Sequence, residues 1–166
     1  TQKGHSPMQY KFIQRPLAAI ALSFAASIAS AEPGLVVSNG SESITMDSSA
    51  LNALPNVFFE TSTIWTDGVI SFSGPSLHSI IEQVGITDGE LTLTATNNYV
   101  ISVPVDEITE TAPIVATLMN GAPLTRREKG PYWLVYPYDS DPMFQSEIVY
   151  GRSIWQLVSI EREDAE

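Results

Sequence analysis

The sequence predicts a single α+β domain, rich in strands, over residues 32–166. Three observations carry that reading. Strand-length runs of β-branched and aromatic residues recur between turn dipeptides, only one segment has helical periodicity, and neither an internal repeat nor a low-complexity linker divides the chain.

Glu32 to Met46 reads as a loose start with short strands around Leu35–Ser38 and Ser43–Met46, parted by the turn dipeptide Asn39-Gly40. Asn56 to Thr66 alternates as a strand, so Phe59, Thr61, Thr63 and Trp65 share one face and Phe58, Glu60, Ser62 and Ile64 the other. Asp67-Gly68 turns the chain into a second strand, Val69 to Ser73. Beyond Gly74-Pro75-Ser76, Leu77, Ile80, Ile81 and Val84 follow the i, i+3, i+4, i+7 pattern of a helix that Gly85 ends, with His78 on its solvent side. Leu91 to Thr96 and Tyr99 to Val103 flank Asn97-Asn98, a hairpin loop, because Asn tolerates positive φ. Asp106-Glu107 starts a short helical turn after Pro104. Ile114 to Met119 is apolar enough for a buried strand or a short helix, and periodicity leaves both open; Asn120-Gly121 then turns the chain. Tyr132 to Tyr136 reads as a strand stopped by Pro137, and Ser153 to Ile160 as the last strand.

Residues 1–7 precede Met8 and read as an appended remnant outside the fold. Residues 8–31 read as a secretory signal: Lys11 and Arg15 form a charged start, Leu17 to Ile28 an apolar core, and Ala29-Ser30-Ala31 a small-residue cleavage site. An apolar core of about 12 residues falls short of the roughly 20 that span a bilayer, so cleavage after Ala31 and a periplasmic location are expected, without membrane insertion. Beyond Ala31 the cations are Arg126, Arg127, Lys129, Arg152 and Arg162; set against 19 acidic residues they leave a formal charge of −14. Such a surface repels nucleic acid and anionic lipid. The chain has no cysteine, which excludes disulfides, thiolate nucleophiles and cysteine-ligated metals. With His5 ahead of the signal, any metal site or Ser-His-Asp chemistry would depend on His78 alone.

Met119 to Tyr138 is the most informative stretch, joining a tight turn, three of the few cations and a dense aromatic run. A pocket for a planar heteroaromatic ligand needs faces to stack on and polar groups at the edge. Trp65, Tyr99, Tyr132, Trp133, Tyr136, Tyr138 and Trp155 supply faces; Thr61, Thr63, Asn97, Asn98 and Asp139 supply an edge; Arg127 or Arg152 supplies a guanidinium that stacks or forks to a carbonyl. An enzyme has less to stand on. Asp139 and Asp141 lie in a loop where carboxylates are usually solvated, and neither a Gly-rich phosphate loop nor metal-ligand spacing occurs.

The order of motifs resembles a known family. Phe72-Ser73-Gly74-Pro75-Ser76-Leu77 with Ile80-Ile81 and Gly85, Asn98 to Pro104, Met119 to Leu124, Gly130 to Pro137 and Ser153-Ile154-Trp155-Gln156-Leu157 together resemble the oxidoreductase molybdopterin-binding domain of the sulfite oxidase type, over Val57 to Ile160. In catalytic members a cysteine before the helix ligates molybdenum; here the region reads Phe59-Glu60-Thr61-Ser62-Thr63-Ile64-Trp65-Thr66, whose hydroxyls are poor substitutes for a thiolate. An arginine that lines the cofactor cavity in those members is matched by Trp133, and the additional dimerisation domain of sulfite oxidase itself has no counterpart. The resemblance therefore implies a pterin ligand without molybdenum, bound by a non-enzymatic protein. It places Thr61, Thr63 and Trp65 on one strand face with Trp133, with Asn98, Tyr99 and Tyr138 nearby and Arg127 or Arg152 at the edge. The implied role is that of a periplasmic pterin-binding regulator acting on the periplasmic domain of a membrane sensor enzyme for cyclic di-GMP. The alternatives are a molybdopterin-dependent oxidoreductase with an altered metal site, and an interaction domain whose pocket is filled by its own side chains.

Overall fold

The computed structural model describes Thr1, Gly4 and residues 34–163; apart from Thr1 and Gly4, the expected remnant and signal lie outside the described residues. The domain is the strand-rich α+β fold that the sequence predicts. Strands β1 (Leu35–Ser38) and β2 (Ser43–Met46) form the first hairpin. Its turn is held by Asn39, whose side-chain oxygen accepts the N–H groups of Ser41 and Glu42 at 3.0 and 2.7 Å. Helix α1 (Ser48–Asn52), capped by the Asp47 carboxylate, is an element that the sequence reading did not anticipate. Strands β3 (Asn56–Ser62) and β4 (Val69–Pro75) pair antiparallel, and α2 (Leu77–Ile81) runs on as a short 3-10 turn to Gly85, which takes φ 67°. All four residues of the expected helical stripe are buried.

Strands β5 (Glu90–Ala95) and β6 (Val100–Pro104) make a hairpin with Asn98 at φ 63°. The open choice over Ile114–Met119 resolves to strand, broken at Thr117 into β7 (Ile114–Ala116) and β8 (Leu118–Met119). Asn120 and Gly121, at φ 50° and 77°, return the chain into β9 (Ala122–Pro123). Strand β10 (Trp133–Val135), helix α3 (Glu147–Arg152) and strand β11 (Leu157–Arg162) complete the order. Like α1, α3 was not anticipated, and Ser153–Gln156, expected as strand, leads into β11 instead.

Five strands form one sheet in the order β2-β1-β11-β5-β6, four form another in the order β3-β4-β8-β9, and β10 pairs with β7. In the first sheet β1 and β11 are parallel, and the cross-strand row Val37, Ile160 and Leu93 is wholly buried. Period-two alternation explains this: β1 and β5 bury every second residue. Among the described residues no helix is long and apolar enough to cross a membrane.

Gly74 marks the closest approach between β4 and β7. A Cβ there would stand 2.1 Å from the Val115 carbonyl oxygen, so one strand must move to admit any side chain. Gly74→Ala is expected to lower stability by about 3 kcal/mol, read as a lower urea midpoint with an unchanged m value.

Candidate functional site

The strand expected to run to Thr66 stops at Ser62 because the chain near Asp139 captures its end. The Asp139 N–H donates to the Thr61 hydroxyl oxygen at 3.0 Å, and the Ser62 N–H and hydroxyl both donate to the Asp139 carboxylate. Thr61 is fully buried. The donors of Ser62 hold the Asp139 carboxyl below its usual range, the backbone N–H first and the hydroxyl second. Beyond this clamp Thr63 organises a turn: its hydroxyl oxygen accepts the Trp65 N–H at 3.1 Å and shares a 2.7 Å hydrogen bond with the Thr66 hydroxyl. The expected common face of Thr61, Thr63 and Trp65 is therefore not formed. Thr61 braces the strand end, Thr63 shapes the turn, and Trp65 alone reaches the cavity.

Trp65 meets four rings edge-on: Trp133 and Trp155 at 5.8 Å between centroids, Tyr150 at 5.9 Å and Tyr138 at 6.1 Å. Beside it lies a cavity of about 300 Å³ lined by Trp65, Ala95, Asn97, Tyr99, Tyr150, Gly151, Ser153, Ile154 and Trp155. Three structural pieces make this wall: the turn after β3, the β5–β6 hairpin, and α3 with the segment after it. The Tyr99 hydroxyl donates to the Gly151 carbonyl at 3.0 Å, tying hairpin to helix. Asn97 accepts the Tyr99 N–H at 3.1 Å through its side-chain oxygen. Tyr99 and Trp155 remain 49% and 37% exposed, so the cavity opens to solvent between accessible rings. Among the described residues no charged side chain lines it.

Several expected site residues lie elsewhere. Trp133 is completely buried, boxed in by Trp65, Phe72 and Trp155, with its indole N–H donated to the Ser153 carbonyl at 3.1 Å. Lys129 Nζ lies over its ring, and full burial leaves no face for a ligand. Tyr138 is buried too, its hydroxyl donating to the Ser153 side chain at 2.6 Å; burial pushes the phenols of Tyr138 and Tyr136 upward, so both stay neutral. Asn98 is exposed at the hairpin tip, and its neighbour Asn97 faces the cavity instead. Arg127 is exposed on the 3-10 turn 126–128, away from the lining. Arg152 is drawn aside by the Glu107 carboxylate and the Ser102 carbonyl, although both its sequence neighbours line the cavity. Of the nine expected residues the cavity brings together Trp65 and Tyr99. The sequence reading missed Tyr150, Gly151, Ser153 and Ile154, which depend on α3. The signal for that helix was Ser146, a helix-capping residue directly before Glu147 and an apolar pair.

The chain matches the family model of the oxidoreductase molybdopterin binding domain over residues 43–139. Its fold is similar to that in the crystal structure of the sulfane dehydrogenase SoxCD from Paracoccus pantotrophus, with a TM-score of 0.62 and 14% sequence identity, over 80% of this chain and 38% of that one. At that identity the likeness is one of fold. Comparison with curated protein sequences gives no match. The matched segment ends at Asp139, so the wall from Tyr150 to Trp155 lies beyond it.

Two expectations follow from this packing. Trp133→Ala is expected to destabilise the domain by about 3–5 kcal/mol, measured by urea unfolding, because it empties a core position. Asp139 has a folded pKa below its unfolded one, so its contribution is complete above the ordinary carboxylate value of about 3.9 and is lost as pH falls through the depressed folded value. Asp139→Asn is expected to be less stable than wild type at neutral pH, with the gap closing in acid; unfolding curves across that range check it.

Proposed function

We propose, from the premise that this chain belongs to the oxidoreductase molybdopterin binding domain family, that it binds a pterin ring in the cavity beside Trp65 and carries out no redox chemistry. The observation that supports this most is the wall itself. Trp65, Tyr99, Tyr150 and Trp155 present aromatic surface around a volume of about 300 Å³, with Asn97 and Ser153 as neutral polar groups at its edge. A flat, polar, uncharged heterocycle is the guest that such a lining suits.

The chemistry of the donor set separates the ring from the metal in the family's cofactor. Thr61 falls in the segment where catalytic members are expected to carry the metal-ligating cysteine, and its hydroxyl is buried and taken up by the backbone of Asp139 and Ser62. Among the described residues no group of three or more His, Cys, Asp or Glu side chains could hold a metal ion, and the sequence contains no cysteine. The residues present fit the pterin ring and do not fit a thiolate-held molybdenum.

On this reading the protein is a sensor. Residues 8–31 direct it to the periplasm, and there the pterin-loaded form engages the periplasmic domain of a membrane enzyme of cyclic di-GMP signalling. Tyr99 and Trp155, partly exposed at the cavity mouth, supply surface whose shape depends on whether a ligand is present.

Titration of oxidised and reduced pterins, followed by tryptophan fluorescence, tests the reading. Losing one stacking face removes about 0.5–1.5 kcal/mol beyond area burial, so Trp155→Ala and Tyr150→Ala are each expected to weaken binding about tenfold, at 1.4 kcal/mol per decade. Unchanged affinity in both folded variants would place the site elsewhere. Stoichiometric molybdenum in protein from a cofactor-competent host would turn the reading toward a molybdopterin-dependent oxidoreductase with an altered metal site.

A further inference from the structure

Lys129 is the cation that the fold sets against the cavity wall. Its Nζ lies 5.2 Å from the ring centroid of Trp133 and 5.7 Å from that of Trp155, and the Trp155 ring is part of the lining. The chain carries 19 acidic residues, yet among the described residues none of the ion pairs involves Lys129, whereas Arg152 and Arg162 are each joined to a carboxylate. Lys129 is half-buried, its ammonium lies over two indole rings, and among the described residues it has no carboxylate in ion-pair contact.

The backbone around it is equally specific. Lys129 takes φ 71° and ψ 9°, the left-handed region in which glycine is the ordinary occupant, so a side chain stands at a position that disfavours one. Its carbonyl accepts the Gln156 N–H at 3.1 Å, and the Gln156 carbonyl accepts the Thr96 N–H at 3.0 Å. That chain of bonds ties the Lys129 backbone to the sequence neighbours of Trp155 and Asn97, two residues of the lining.

Resting on the pterin reading above, we propose that Lys129 makes this site selective for pterins that carry an anionic substituent, a carboxylate or a phosphate, whose charge meets Nζ beside Trp155. The acidic surface repels such a ligand, and an uncharged ring needs no cation. A cation already partly stripped of water by two indoles gives up little further hydration on meeting an anion, and the resulting hydrogen bond is charge-assisted.

Calorimetric titration of the full chain with 6-carboxypterin, a phosphorylated 6-hydroxymethylpterin and neutral 6-hydroxymethylpterin tests this, with Lys129→Met and Lys129→Arg alongside wild type. Wild type is expected to bind at least one anionic pterin tenfold or more tighter than the neutral one, and the two anionic arms tell carboxylate from phosphate. Lys129→Met, which keeps an unbranched side chain over the rings, is expected to lose that preference while holding its affinity for the neutral pterin within about twofold; Lys129→Arg is expected to keep it. Raising the salt concentration should weaken only the anionic ligands, a readout in wild type that does not depend on the variants folding. Equal affinity for all three pterins in wild type, or a preference that survives in Lys129→Met, overturns the assignment of Lys129 and leaves the pterin site standing. Failure of wild type to bind any of the three overturns the pterin reading and this inference together.

Discussion

The cavity depends on one constraint: Trp65 must leave the line of its strand. Were β3 to continue through Thr63, the ladder would carry the indole along the sheet and the ring cluster would lose its centre. Two interactions prevent that. The clamp from Asp139 takes up the outer edge of β3 at Thr61 and Ser62, and the Thr63 hydroxyl takes the Trp65 N–H that a further strand residue would have offered to a neighbour. Side-chain oxygens that bond the backbone two residues on are a standard competitor of sheet pairing. Here that competition places an indole against four other rings.

Around that centre the aromatic side chains divide their labour. Trp133, Tyr138 and Phe72 are enclosed and make the floor rigid. Ser153 links them, accepting the Trp133 indole N–H at its carbonyl and the Tyr138 hydroxyl at its side chain, while its own hydroxyl donates to the Val149 carbonyl at 2.8 Å. Every buried polar tip of the floor is thus satisfied by the segment that also walls the cavity. Tyr99, Tyr150 and Trp155 stand above the floor and keep free surface. The rigid floor and the open cavity wall are therefore built from neighbouring rings that chemistry alone does not distinguish.

Much of the fold was legible because burial imposes periodicity. The stripe Leu77, Ile80, Ile81 and Val84 and the hairpins at Asn39-Gly40, Asn97-Asn98 and Asn120-Gly121 all stand where pattern and turn chemistry put them. Helices α1 and α3, five and six residues long, are too short for periodicity and announce themselves only by Asp47 and Ser146. The residues around the cavity were legible only in part. Trp65 and Tyr99 stand at the cavity, but alternation ran past Ser62 into Thr63, because a pattern of residue types does not reveal a hydroxyl that captures a backbone N–H. Trp133 illustrates the same gap: occupying the matching position of a cavity-lining arginine says nothing of the Phe72 and Trp155 rings that enclose it. Sequence proximity to the aromatic run likewise suggested Arg127 and Arg152, whereas exposure of one and the Glu107 carboxylate beside the other decide where they point.

Strand β11, the last to be made, lies at the middle of its sheet between β1, the first, and β5. Until it is available, β1–β2 and β5–β6 are two separate hairpins with nothing between them, and isolated hairpins are marginal in water. A chain made only as far as Gln156 therefore cannot finish this five-stranded sheet, although the four-stranded sheet β3-β4-β8-β9 needs nothing beyond Pro123. Completing the five-stranded sheet requires pairing β1 with β11 across most of the domain, the slow kind of contact in folding. Sequence order alone thus leaves the five-stranded sheet open until β11 is available, whereas the four-stranded sheet can close before it.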